Sequence, residues 1–179
     1  MGQKQAYRSD QSIFQFHLVL NISPRTVPGG EGMAFILAID SNLPENSQGQ
    51  WLGIVNAKTN GNSQAKIVAV EFDTRKSYPG DVDSNHAGLD VNSIYSIKQV
   101  PLGIFGINLS AGVDVMVRIQ YEENLTVFIG EDARNLVFSE PIDLSLSSKG
   151  GAALLIGIAF FSCWKWKSKK NRSTTPIQA

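Results

Sequence analysis

A chain of 179 residues has the length of one domain with a short appendage, because domains usually contain about 100–200 residues. Sixteen Lys and Arg side chains balance sixteen Asp and Glu, so the sequence lacks the excess of clustered positive charge that nucleic-acid binding normally requires. One cysteine cannot form an intramolecular disulfide, and with two histidines it supplies too few ligands for a structural zinc site of the Cys/His type.

Short apolar runs, each bounded by Gly, Pro, Asn or Ser, dominate the chain up to residue 150 and predict β-strands. These runs cover residues 14–22, 33–39, 51–55, 66–72, 87–94 and 113–121. The sixteen residues at the N-terminus lack the apolar core and cleavage site of a secretory signal. No helical periodicity and no internal repeat precede residue 150.

Residues 113–129 carry the clearest strand pattern. Apolar side chains occupy every second position from Val113 to Tyr121, which is the pattern of a half-buried antiparallel strand. Residues 122–124 read as a turn, after which Leu125, Val127 and Ile129 alternate again and predict a hairpin. Many short strands separated by frequent turns predict an all-β sandwich or barrel.

An uncharged apolar run at residues 150–164 precedes a basic cluster. As a helix this run would extend only ~22 Å, against a hydrocarbon core of ~30 Å, so a buried strand is an alternative. Lys149, Trp164, Trp166 and the basic cluster favour a short transmembrane helix. We therefore predict a domain over 1–147, a transmembrane segment over 148–166 and a basic cytoplasmic tail over 167–179.

Residues 67–94 contain a candidate metal-binding set. Glu71 and Asp73 lie two positions apart on one face of a predicted strand, and Asp81 and His86 follow after a loop. Three carboxylates and one imidazole suit Ca²⁺ or Mn²⁺ better than zinc or copper.

The same stretch resembles the metal-binding signature of legume-type (L-type) lectins, and most nearly the version in plant lectin-domain receptor kinases. The matching segments are VAVEFDT at 68–74, D-x-x-x-x-H at 81–86 and GLDVNSI at 88–94, with further similarity at 28–37, 49–61, 113–130 and 139–145. The resemblance covers roughly residues 14–145. It implies a legume-lectin-like (concanavalin-type) β-sandwich or jelly roll that is incomplete at both ends, because the family's first strands and a later front-sheet strand have no evident counterpart.

The resemblance also implies roles for individual residues. Those implied to hold Mn²⁺ are Glu71, Asp73, Asp81 and His86, with Ser96 acting through water. Those implied for Ca²⁺ are Asp73, Asp81, the backbone carbonyl near Arg75, and Ser77, which stands where the family has Asn. Sugar contacts fall to Glu31, which replaces the family's Asp, and to Gly49 and Ser77. The metals would act structurally, by fixing the loop that contacts the sugar.

A glycan or glycoprotein ligand is the partner that the resemblance implies, with the domain outside a plasma membrane; oligomeric state stays open. Sequons at Asn21, Asn108 and Asn124 fit a glycosylated ectodomain. Some glycoside hydrolases of similar fold carry E-x-D-x-x-E on one strand, but Lys76 stands where the third acid would be, so we expect no enzyme. The alternatives are a non-sugar interaction module and an inactive fragment of a lectin receptor kinase.

Overall fold

The computed structural model describes residues 14–40 and 42–144, together with the backbone of residues 155–161. Within these ranges nine strands form: β1 (Phe14–Leu20), β2 (Gly32–Ala38), β3 (Ile67–Asp73), β4 (His86–Val91), β5 (Lys98–Pro101), β6 (Val115–Tyr121), β7 (Asn124–Ile129), β8 (Asn135–Pro141) and β9 (Leu155–Phe161). Short 3-10 helices lie between them at Gly49–Trp51, Ser63–Ala65, Leu102–Phe105, Leu109–Ala111 and Glu131–Ala133. The predicted all-β class is confirmed in the described part of the chain.

The strands form two antiparallel sheets. The four-stranded sheet has the order β1-β6-β7-β8, and the five-stranded sheet has the order β5-β4-β3-β2-β9. The predicted hairpin is formed by β6 and β7, in which Tyr121 lies opposite Leu125. Because β1 pairs with β6 and β2 with β9, each sheet joins segments that are distant in sequence.

The main hydrophobic core lies between the two sheets. Alternate side chains of β6 and β7 are buried there, as the period-2 pattern predicted, and they face residues of β2, β3 and β4. Val113 precedes β6 and is exposed, so the inward-facing series begins at Val115. Among the side chains of β2 to β5, the largest that are fully buried are Phe35 and Phe72. Burying an aromatic side chain of this size stabilises the fold by about 3 kcal/mol.

A second apolar cluster covers the opposite face of the five-stranded sheet, which we call its outer face. Ala34 and Ala69 of the sheet pack there against Leu52, Ile54 and Val55. The prediction of a strand over 51–55 is wrong, because this segment consists of a 3-10 helix and turns that lie across the outer face. A short buried apolar run has the same local pattern whether it pairs as a strand or covers a sheet.

The prediction of a transmembrane helix over 148–166 is wrong for its described part. Leu155–Phe161 form β9, which pairs with β2 along seven residue pairs from Gly32↔Phe161 to Ala38↔Leu155. In the residues that the structure describes, no helix has the length and apolar character needed to cross a membrane. Ile156 and Ile158 are β-branched, which favours a strand, and the run is short for a membrane helix. We expected an edge strand of this sheet to be missing, and β9 occupies the edge next to β2. The predicted tail at 167–179 lies outside the described residues.

Candidate functional site

Strand register collects polar side chains on the outer face of the five-stranded sheet. Val70 and Phe72 of β3 point into the main core, so Glu71 and Asp73 point outward. In the neighbouring β4, His86 lies opposite Asp73 and Gly88 lies opposite Glu71. Glu71, Asp73 and His86 are all buried, and so is Asp81 from the loop after β3. The structure therefore places the four predicted Mn²⁺ ligands at one end of β3 and β4.

His86 has one ring nitrogen bound and the other free of hydrogen bonds. Its Nδ1 lies 3.0 Å from the backbone carbonyl oxygen of Asp83, to which an Nδ1–H group can donate. Its Nε2 is buried without a hydrogen-bond partner, 3.5 Å from Oε1 of Glu71. Burial lowers the pKa of His86, but the carboxylates of Glu71 and Asp73 outweigh this effect, so the pKa is raised overall. A buried imidazole held in this way has the orientation that second-shell carbonyls give to metal-binding histidines.

Asp73 and Asp81 hold the loop that joins β3 to β4. The backbone N–H of Arg75 donates to Oδ1 of Asp73 at 2.5 Å, and that of Tyr78 donates to Oδ2 of Asp81 at 2.7 Å. Burial raises the pKa of Asp73 to about 7, and the neighbouring Glu71 carboxylate adds to the rise. The site is therefore rich in buried acidic groups, whose negative charge a cation or protons must offset.

A fourth buried acid, which was not predicted from the sequence, belongs to the same face. Asp90 lies two positions beyond Gly88 in β4 and opposite Ala69, and neither of its carboxylate oxygens has a hydrogen-bond partner. Burial, followed by the charge of Glu71, raises the pKa of Asp90 well above its usual range. The two-residue spacing of His86, Gly88 and Asp90 was the available signal, since alternate strand positions share a face.

Gly88 makes room for the acidic group. A methyl group at this position would overlap Oε1 of Glu71 and Oγ of Ser96. The Ser96 hydroxyl donates to that same Glu71 oxygen, which places Ser96 directly beside a predicted metal ligand. Even so, within the described ranges no three His, Cys, Asp or Glu side chains are arranged as a complete metal-binding group.

The predicted sugar-binding residues lie beside this cluster. The Ser77 hydroxyl donates to Oε2 of Glu31, and Nη1 of Arg75 lies 3.3 Å from Oε1 of the same carboxylate. Two hydrogen bonds from Thr74, to the backbone oxygens of Glu31 and Gly30, hold the segment before β2 against the loop after β3. Glu31 and Ser77 are thus in direct contact.

Gly49 lies on a neighbouring loop. It begins the 3-10 helix Gly49–Trp51 with a positive φ of 62°, and among the described residues beyond its two chain neighbours no atom lies within 4 Å of the position that a Cβ would occupy. The Tyr78 hydroxyl donates to the backbone oxygen of Gln50 at 3.2 Å, and the rings of Tyr78 and Trp51 lie 6.1 Å apart. These contacts join the loop of Gly49 to the loop of Ser77.

The three candidate glycosylation residues lie on the surface. Asn21, Asn108 and Asn124 are exposed, and each side chain makes a hydrogen bond within the protein. Their exposure is compatible with glycosylation, which stays a prediction.

The fold defines a class, the lectin-type β-sandwich, and comparison with known proteins gives the family. The family description "Legume lectin domain" matches residues 3–159. The chain belongs to this family. Legume lectin domains bind carbohydrates and are not catalytic domains, which confirms the expectation of a binding domain. The match extends into β9, in agreement with the pairing of that strand with β2.

Individual relatives agree with the family. The chain is 47% identical over 138 residues to the probable L-type lectin-domain containing receptor kinase S.5 of Arabidopsis thaliana, covering 74% of this chain and 21% of that protein. A lectin from Bauhinia forficata in complex with GalNAc superposes with a TM-score of 0.64 at 25% identity, covering 83% of this chain and 66% of that one. Lectin UEA-II complexed with galactose superposes with a TM-score of 0.63 at 26% identity, covering 80% and 61%. The chain thus spans about a fifth of the receptor kinase that it matches.

Proposed function

We propose that this domain binds a glycan at the end of the five-stranded sheet where Glu31, Ser77 and Gly49 lie. The observation that supports this proposal most directly is the contact between Glu31 and Ser77, which come from separate loops. The Glu31 carboxylate can accept hydrogen bonds from sugar hydroxyls, Ser77 can donate and accept, and the free backbone at Gly49 allows close approach. GalNAc and galactose, the sugars bound in the two related lectin structures, are the first ligands to test.

Divalent cations fit the buried cluster in part. Glu71, Asp73, Asp81 and His86 offer three carboxylates and an unpartnered imidazole nitrogen, a donor set that suits Mn²⁺. Of the implied Ca²⁺ ligands, Ser77 has its hydroxyl engaged by Glu31, which leaves that site with the weaker donor set. A bound cation would offset the charge of the buried carboxylates. Asp73 and Asp81 also fix the 74–81 loop, by accepting hydrogen bonds from the backbone N–H groups of Arg75 and Tyr78.

Membrane attachment does not follow from the apolar run, because its described residues pair within the sheet. Exposure of the domain on the outside of a cell, as in the lectin part of a receptor kinase, is supported by the family and by the three exposed sequons. Glycosylation of Asn21, Asn108 and Asn124 in a plant expression host, detected by mass spectrometry, would support it.

Titration calorimetry of the full chain with galactose and GalNAc tests the proposal, with Mn²⁺ and Ca²⁺ present and then with EDTA. We expect binding that is lost in EDTA and weakened about 10–100-fold by Glu31→Ala, since a hydrogen bond to a charged group contributes roughly 1.5–3 kcal/mol. Glu131→Ala is the matched control, because Glu131 is an exposed acid in the helix Glu131–Ala133, which connects β7 and β8 of the four-stranded sheet. A Glu31→Ala protein that folds and binds these sugars as well as the parent would contradict the proposed site.

A further inference from the structure

An arginine occupies the mouth of the proposed sugar site. The Arg75 side chain is 46% exposed, whereas the Glu31 side chain with which it pairs is only 13% exposed. Glu31 is therefore held on both sides, by Arg75 at Oε1 and by Ser77 at Oε2. A ligand that contacts Oε1 of Glu31 therefore lies close to the guanidinium group.

The Arg75 guanidinium has more donors than this ion pair uses. It presents five N–H groups, and the contact with Glu31 involves Nη1. Nearly half of the Arg75 side chain is exposed, so its remaining N–H groups can reach a ligand while Nη1 stays beside Glu31. Its backbone is meanwhile held in place by the hydrogen bond from its N–H to Asp73.

The exposed positive charge of Arg75 favours an anionic sugar over an uncharged one. A neutral sugar must compete with Arg75 for the Glu31 oxygen and offers the guanidinium no carboxylate in return. A carboxylated sugar offers the planar, two-oxygen acceptor that guanidinium groups bind best. Lys76, the next residue, is also exposed and adds a second positive charge.

We propose, on the basis of the glycan-binding function above, that the ligand is an acidic saccharide containing a uronic acid. The carboxylate of the sugar pairs with Arg75, and hydroxyl groups of the same sugar donate to the Glu31 carboxylate and to the Ser77 oxygen, whose own proton stays on Glu31. Arg75 then bridges two carboxylates, that of Glu31 and that of the ligand, and acts as the residue that determines specificity.

The methyl glycosides of galacturonic and glucuronic acid, each compared with its own methyl ester, test this assignment. Each pair keeps the same ring hydroxyls, and the ester replaces the charged carboxylate by an uncharged methyl ester group. Calorimetry with the full chain in Mn²⁺ and Ca²⁺ should show that the acid of at least one pair binds about 10-fold or more tightly than its ester. Arg75→Gln should abolish this preference while it keeps binding of the ester. Lys76→Gln, the control at the adjacent exposed position, should retain the preference.

The possible outcomes separate this inference from the proposed function. Equal binding of acid and ester by the parent protein would overturn the acidic-ligand assignment and leave glycan binding in place. A preference that survives in Arg75→Gln, or a loss of both ligands in a variant whose thermal midpoint is unchanged, would overturn the role of Arg75. A parent protein that binds neither these sugars nor galactose and GalNAc would overturn both proposals.

Discussion

The metal-free domain should become less stable as the pH rises from 5 to 8. Asp73 has a pKa of about 7 in the folded protein in place of its ordinary 3.8, because it is buried beside Glu71. A carboxyl group whose pKa is raised by folding binds more protons in the folded state, so the free energy of unfolding falls as the pH rises above the unfolded value. Asp73 alone then lowers the free energy of unfolding by about 2–3 kcal/mol between pH 5 and pH 8.

The two other shifted groups of the cluster act in the same direction. Asp90 also has a raised pKa, so it adds to the loss of stability over the same interval. His86 has a raised pKa as well. Its contribution to the free energy of unfolding is fully present below its ordinary pKa of 6.5, and it is lost as the pH rises through the pKa of the folded protein.

Urea unfolding of the full chain in EDTA, followed by tryptophan fluorescence at pH 5, 6, 7 and 8, measures this dependence. Asp73→Asn is the matched variant, because it removes the ionisable group at nearly constant size. In this variant the free energy of unfolding should fall less between pH 5 and pH 8, by about 2–3 kcal/mol, the share attributed above to Asp73. Excess Mn²⁺ should reverse the trend, since cation binding needs deprotonated ligands and stabilises only the folded state. A free energy of unfolding in EDTA that is constant or rises from pH 5 to pH 8 would refute this account of the cluster.

Three further predictions concern neighbouring features. Asp90→Asn should raise the free energy of unfolding in EDTA at pH 8, because the amide carries no charge and can donate to Glu71; equal urea midpoints for variant and parent would count against it. Gly88→Ala should abolish the rise in thermal midpoint caused by Mn²⁺, because the added methyl group overlaps Glu71 and Ser96, whereas Gly103→Ala, in open space, should retain it. A chain ending at residue 150 lacks β9, and its free energy of unfolding should fall by several kcal/mol from a total that is typically about 5–15 kcal/mol. A chain ending at residue 164 keeps β9 and should have the same thermal midpoint as the parent in scanning calorimetry. Similar midpoints for both truncated chains would argue against the pairing of β9 with β2.

Sequence patterns alone identified the class of fold and the family. The alternation over residues 113–129 predicted β6, β7 and their hairpin, because a half-buried antiparallel strand must alternate apolar and polar side chains. The signature at 67–94 likewise placed Glu71 and Asp73 on one face of β3 and indicated that His86 lies near them. These features are local, since they depend on residues a few positions apart, and so they can be read from the order of the residues.

Other features were decided only by tertiary packing. The apolar run of β9 has the composition of a short membrane segment, and what determines its structure is β2, a distant strand whose edge it pairs with. Residues 51–55 form a 3-10 helix and turns because their apolar side chains are buried against the outer face of the five-stranded sheet and not in a strand. The contacts of Glu31 with Arg75 and Ser77 join separate loops, and the raised pKa of Asp90 depends on its burial beside Glu71. Sequence determines what each short segment can form, but which neighbour covers or pairs with it depends on contacts between segments that are far apart along the chain.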